Sequence, residues 1–293
     1  MKYINHFNTL YTSILSKAIL VRPQRHDDKI LNCEPSRQTE TDFLVEHSME
    51  AGLMAAEPTL PLSKDLREEW WKIGNQETTG ACVGWATADS LLRWHFVMAQ
   101  QIPKDELLSP RFIWMASKET DEFINTPTTF IETVGTSPKA ALDIARKFGC
   151  VPNSVLSFES GKLYDGDVQT FFSIAAKRKI SSYFNLRPPN LSDWSKIMTD
   201  WRTWIAFKGP ILTRLIIDQA WDNVEANGNL DAYNEYPNGH PRKGGHAVAL
   251  VGYTEDRFIV RNSWGTKWGD KGFGYASLAY ANTAFIEAYG IAL

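Results

Sequence analysis

The chain has 293 residues, of which 43% are hydrophobic and 22% charged, with a formal net charge of −3. That is ample length for one large domain or two lobes around a substantial core, and the near-neutral balance without a basic block argues against nucleic acid or an anionic membrane as partner. Its three cysteines, Cys33, Cys82 and Cys150, form no CxxC pair and the six histidines do not cluster with them, so no structural zinc and no cofactor is expected.

Residues 1–20 interrupt their apolar positions with polar ones every two or three residues, unlike a signal-peptide core or a spanning helix. No other window approaches 18 apolar residues. With so few cysteines, a cytoplasmic or other reducing compartment is expected, with a non-Sec export route left open. Residues 1–58 differ in character from the remainder of the chain, and 21–48 are polar and charged with Pro23 and Pro35 among them. They read either as a surface extension or as a propeptide-like segment that covers a cleft.

The globular part is expected from about residue 59, beginning Leu60-Pro61-Leu62-Ser63-Lys64-Asp65-Leu66-Arg67. In the stretch 75–86, a glycine-containing loop turns into a helix at Cys82, and Val83, Ala86, Ser90, Trp94 and Val97 share one stripe of it. A thiol at a helix N-terminus has a depressed pKa, and the thiolate is the nucleophilic form. Ser109-Pro110 and Ser137-Pro138 are cap-and-proline starts for helices over roughly 110–120 and from 138 to Gly149. One more helix is predicted from Ser192, with Trp194, Ile197, Met198, Trp201, Trp204 and Ile205 on one face and a stop at Gly209-Pro210. Strand-like runs come next at 211–217, 247–251, 258–260 and 273–276. Helices succeeded by strands indicate an α+β fold, with a mainly helical lobe over about 59–180, a mainly β lobe over about 181–293 and a groove between them.

His246 opens one strand and Asn262 closes the next, which puts them near each other at one end of a sheet. Cysteine-based acyl transfer needs a thiolate beside an imidazolium that later protonates the leaving amine, a group that orients the imidazole, and preorganised donors for the oxyanion. Cys82, His246, Asn262 and Gln76 with the Cys82 N–H are the candidates for those four roles. Assigning Cys82 as nucleophile leaves Cys33–Cys150 as the remaining disulfide, and it is not expected.

The set Gln76, Gly80, Cys82, His246 and Asn262-Ser263-Trp264-Gly265 resembles the papain-like cysteine peptidases. Leu60-Pro61 with Asp65-Leu66-Arg67, Leu108-Ser109-Pro110-Arg111-Phe112 and Gly135-Thr136-Ser137-Pro138 extend the likeness, particularly to the bacterial branch, across residues 59–293. The resemblance implies a papain-like two-lobe fold with a helical left lobe, an antiparallel β-barrel-like right lobe and the cleft between. It implies a monomeric thiol peptidase on peptide or protein substrates, with Trp264 shielding the His246–Asn262 bond. It also implies that Gly135 and Thr136 pair with substrate backbone and that Pro138 and Ala247 wall a pocket. His246 and Asn262 lie farther from the cysteine than the roughly 130–150 residues usual in papain-type chains, so the middle carries insertions. Thr79 stands where the family commonly has a disulfide-forming cysteine, and Val83 where it commonly has tryptophan. An acyl transferase or isopeptidase using the same thiol, and an inactive binding scaffold, are the competing readings.

Overall fold

The computed structural model describes residues 29–55, 59–120, 131–159 and 164–293. The readings made for residues 1–20 and for Pro23 lie outside them. Helix α1 is Val45–Glu50. The helix that begins at Cys82 runs from 82 to 98 as one rod, α2, with a π-helical stretch over Ala86–Leu92. Helices α3 (Pro110–Thr120), α4 (Pro138–Lys147), α5 (Val168–Ala176) and α6 (Trp194–Phe207) come next. The predicted starts are seen: the Ser137 side chain accepts from Ala140 N–H to cap α4, and Asp193 caps α6 by accepting from Ser195 and Lys196 N–H. Gly149 ends the α4 segment at φ 93°, a left-handed conformation that suits glycine.

The strands are β1 (Lys64–Asp65), β2 (Ser182–Asn185), β3 (Ile211–Ile216), β4 (Asn229–Leu230), β5 (Gly245–Tyr253), β6 (Arg257–Arg261), β7 (Phe273–Ser277) and β8 (Phe285–Ala292), with the short helices Gln219–Asp222 (α7) and Leu278–Ala284 (α8) between them. They form one sheet in the order β2-β8-β3-β5-β6-β7-β4, with β1 paired to β5. All pairings are antiparallel except β4 with β7, which is parallel and makes the sheet mixed.

Two apolar cores flank the centre of this sheet. Leu212, Ala247, Tyr289 and Ile291 pack with α2, α3 and α4, while Ile211, Leu215, Val248 and Leu250 pack with α6 and the tryptophans Trp201, Trp204 and Trp221. Successive strand residues point to opposite faces, so a strand between two cores is apolar throughout, and all nine residues of β5 are buried. Helix α2 is likewise buried nearly all round, not on one stripe alone.

A buried ion cluster ties α2 to the sheet. Arg261, the last residue of β6, reaches Asp89 at 2.7 Å, Ser90 Oγ at 2.7 Å and Lys72 O at 2.6 Å, and lies 4.7 Å over the Trp71 ring. Arg93 bonds the other side of Asp89 at 3.2 Å. Removing one partner of a buried ion pair leaves an uncompensated charge. Arg261→Met keeps the stem and should cost about 3–5 kcal/mol, read as a lower urea midpoint; a loss below ~1 kcal/mol would mean that the cluster does not hold the lobes together.

Candidate active site

The four sequence-predicted groups converge where α2 meets the sheet. Cys82 opens α2, where first-turn N–H groups have no intrahelical acceptor. His246 is the second residue of β5 and Asn262 comes directly after β6. His246 Nε2 and Asn262 Oδ1 are 2.9 Å apart. Ser263 N–H also donates to that oxygen at 2.8 Å, so Oδ1 is an acceptor and Nε2 must carry the proton. Nδ1 is then left without a hydrogen-bond partner among the described residues, on the ring that lowers the Cys82 thiol.

Gln76 is buried and its amide is fixed at both ends. Oε1 accepts from Ser263 Oγ at 2.9 Å, and Nε2 donates one hydrogen to Thr79 O at 3.1 Å, leaving the second for a ligand. Thr79 Oγ1 donates to Gln76 O at 2.6 Å, so hydrogen bonds hold this turn where the family commonly has a disulfide. The loop is seamed to the other lobe by Gln76 N–H to Ser263 O at 2.8 Å and Gly265 N–H to Gly74 O at 3.0 Å.

Trp264 is buried with its ring 4.9 Å from that of His246. Two groups that sequence reading did not single out complete the surround. Trp221 meets His246 edge-on at 5.6 Å and stacks on Trp268 at 4.7 Å. Ser263 orients Gln76; it sits inside the Asn-Ser-Trp-Gly motif, but its partner is 187 residues away in sequence. Trp221 carries no local signal.

The site is covered. Residues 29–36 lie across it as a strap between the two lobes. Cys33 N–H donates to Gly245 O at 3.0 Å, and the next amide, Glu34 N–H, donates to Thr136 O at 3.1 Å on the opposite wall. Arg214 Nε donates to Cys33 O at 3.0 Å, and Lys29 Nζ donates to Asn75 Oδ1 at 2.9 Å. Glycines make room for this backbone: a Cβ on Gly135 would come within 1.9 Å of Asn32 O, and one on Gly245 within 2.1 Å of Cys33 O. Cys82 and His246 have no exposed surface. Residues 38–54 behave differently and belong to the body, because Val45 and Met54 are in the β-side core and Asn185 N–H donates to Phe43 O at 2.7 Å. Within 21–48, residues 38–48 therefore pack on the body.

Gly135 and Thr136 thus line the strap, Pro138 is buried at the first position of α4, and the Ala247 side chain lies in the helical-side core. Cys82 is held well below the usual thiol range, first by its neighbour Cys33 and then by the His246 imidazole, against the opposing effect of burial. Burial, and then the contact with Cys82, pushes the Cys33 thiol well up. Cys150 is pushed up to about 12 by burial. All three cysteines are free thiols.

A thiol at a helix start facing a His–Asn pair on a sheet, in two lobes around a cleft, is a papain-like architecture. Xylellain, a cysteine protease from Xylella fastidiosa, superposes with a TM-score of 0.67 at 19% identity over 93% of this chain and 98% of that one. A procathepsin B from Trypanosoma congolense does so with a TM-score of 0.62 at 16% identity over 89% and 86%. The model of the papain family of cysteine proteases matches residues 60–292, and the chain belongs to that family. Peptidase 1 of Dermatophagoides farinae is 32% identical over 114 residues, 38% of this chain and 32% of that protein. The match spans about a third of the length of the curated mite relatives. No helix among the described residues is long and apolar enough to cross a membrane.

The three thiols should differ in reactivity. Thiolate, not thiol, is alkylated, so at pH 6 iodoacetamide should label Cys82 whenever the strap opens and leave Cys150 unlabelled in folded protein. Peptide mapping reads this out, and labelling of Cys150 ahead of Cys82 would contradict the assignment.

Proposed function

We propose that the chain is a cysteine peptidase that hydrolyses peptide bonds through an acyl-enzyme, held closed by its own residues 29–36. The observation that carries this is the joint placement of Cys82 near His246, His246 against Asn262, and Gln76 beside them. Cys82 thiolate attacks the scissile carbonyl carbon, and the carbonyl oxygen takes the charge. Gln76 Nε2 and the Cys82 N–H stabilise that oxygen. His246 then gives its proton to the leaving amine, so the C–N bond breaks and the acyl group stays on sulfur. Water, deprotonated by His246, releases the acid and restores the thiol. Asn262 keeps the imidazole in the tautomer and orientation the transfer needs, and Trp264 with Trp221 excludes water from that bond.

The strap itself supports the substrate-binding assignments. Its successive amides donate to Thr136 O and Gly245 O on opposite walls. An extended substrate strand has the same donors at the same spacing, so Gly135 and Thr136 are assigned to substrate backbone. Pro138 and Ala247 are assigned to the pocket wall next to it. Residues 38–54 are assigned to the enzyme body, and the covering role to the strap alone.

Two measurements test this. Deleting residues 1–36, not the whole of 1–58, should raise kcat/KM on a fluorogenic peptide tenfold or more, where each tenfold corresponds to ~1.4 kcal/mol of strap contact. Unchanged kinetics would remove the covering role. In that shortened chain Gln76→Ala should lower kcat/KM by ~10²–10³ with folding intact, and Cys82→Ala should abolish turnover. Retained turnover in Cys82→Ala would sink the peptidase reading. Products extended by an added amine would move the reading to acyl transfer.

A further inference from the structure

The strap residue that meets Cys82 is itself a cysteine. Both cysteines are buried in one apolar cluster, and the strap seats Cys33 on Gly245, the residue before His246. Cys33 is not free to drift from this position, because its N–H is held by Gly245 O, its carbonyl by Arg214 Nε, and the next amide by Thr136 O. A covering segment needs no sulfur there: the three backbone contacts close the cleft with any small side chain.

We propose that Cys33 is a resolving thiol for Cys82, and that oxidation by a peroxide joins them in a disulfide that locks the strap over the active site until a dithiol reductant opens it. Its consequence for activity rests on the peptidase reading; the cross-link itself does not. The sulfur of Cys82, as thiolate, attacks one oxygen of hydrogen peroxide. The O–O bond breaks, and the leaving hydroxide takes a proton to become water, which leaves Cys82 as a sulfenic acid. The sulfur of Cys33 then attacks the Cys82 sulfur, the S–O bond breaks, and the hydroxyl departs as water with the Cys33 proton. Two thiols lose two electrons in all, and one peroxide becomes two waters. The unequal proton affinities fit this order of events, since Cys82 is the lowered thiol and Cys33 the raised one. Two sulfurs within one buried cluster have to close to the ~2.05 Å of the bond.

The test uses the full chain, treated with one equivalent of hydrogen peroxide, then unfolded in denaturant, alkylated, and digested with trypsin without reductant. The expected product is the peptide 30–37 joined to 73–93 at the mass of the pair less two hydrogens, with Cys150 alkylated. Peptidase activity should fall with cross-linking and return at least tenfold with dithiothreitol. In Cys33→Ser, two or more equivalents of peroxide should carry Cys82 on to the sulfinic acid, which dithiothreitol does not restore. Cys33→Ala, which adds no buried hydroxyl, should behave the same way. Oxidised Cys82 without the 30–37 to 73–93 peptide would overturn the proposal, as would recovery of the Cys33 variants to the wild-type extent. A cross-link that forms and reverses without any peptidase activity would leave the latch standing and remove the peptidase reading.

Discussion

The pairing of residues 74–76 with 263–265 is the constraint on which the rest of the site depends. It joins the loop that precedes the nucleophile to the loop that begins at Asn262, through Gln76 N–H to Ser263 O, Gly265 N–H to Gly74 O and Ser263 Oγ to Gln76 Oε1. One seam therefore sets the oxyanion donor, carried by the helical side, and the imidazole orienter, carried by the sheet side. The Arg261–Asp89 pair lies just behind it and keeps α2 from sliding along β6. A displacement of ~1 Å between reacting groups can cost ~10²-fold in rate, so a site split between two lobes needs such bonds across the split.

The family and the grouping of the candidate residues were legible in the sequence because they rest on residue types that rarely coincide: a cysteine at a helix start, a glutamine just before it, a histidine opening a strand and an asparagine closing the next. The helices with serine-proline starts were legible for the same local reason, and α3 spans Pro110–Thr120 as the cap signals require. Strands β2, β4 and β8 were not. β8 reads Phe-Ile-Glu-Ala-Tyr-Gly-Ile-Ala and lacks the turn residues that bracketed β5 and β6, and its position between β2 and β3 is fixed only by long-range pairing. Trp221 next to His246 was hidden likewise, since nothing near it in sequence indicates a packing partner 25 residues away.

The N-terminal extension shows why composition alone misreads a segment. Polar content over 21–48 argues for a loose surface chain, yet a strand laid between two walls is bound through its backbone, which composition does not report. Its side chains are free to be polar where they leave the groove, and it is the walls that are small where its backbone passes, at Gly135, Gly244 and Gly245. The boundary between strap and body falls near residue 37 and is also invisible to composition: Asp42 is buried on Lys139, Tyr289 and Asn185 while its neighbours are exposed.

The strap also alters the chemistry that it covers. Cys33 is the first cause of the lowered Cys82 thiol, ahead of His246 and against burial. Its backbone is held by Gly245 O and Arg214 Nε, so the strap that hides the sulfur is fixed to the same strand, β5, that carries His246. Moving the strap away would expose the Cys82 sulfur to water and leave the imidazole in place on β5, because the His246–Asn262 pair is bonded to β5 and the loop after β6 and not to the strap.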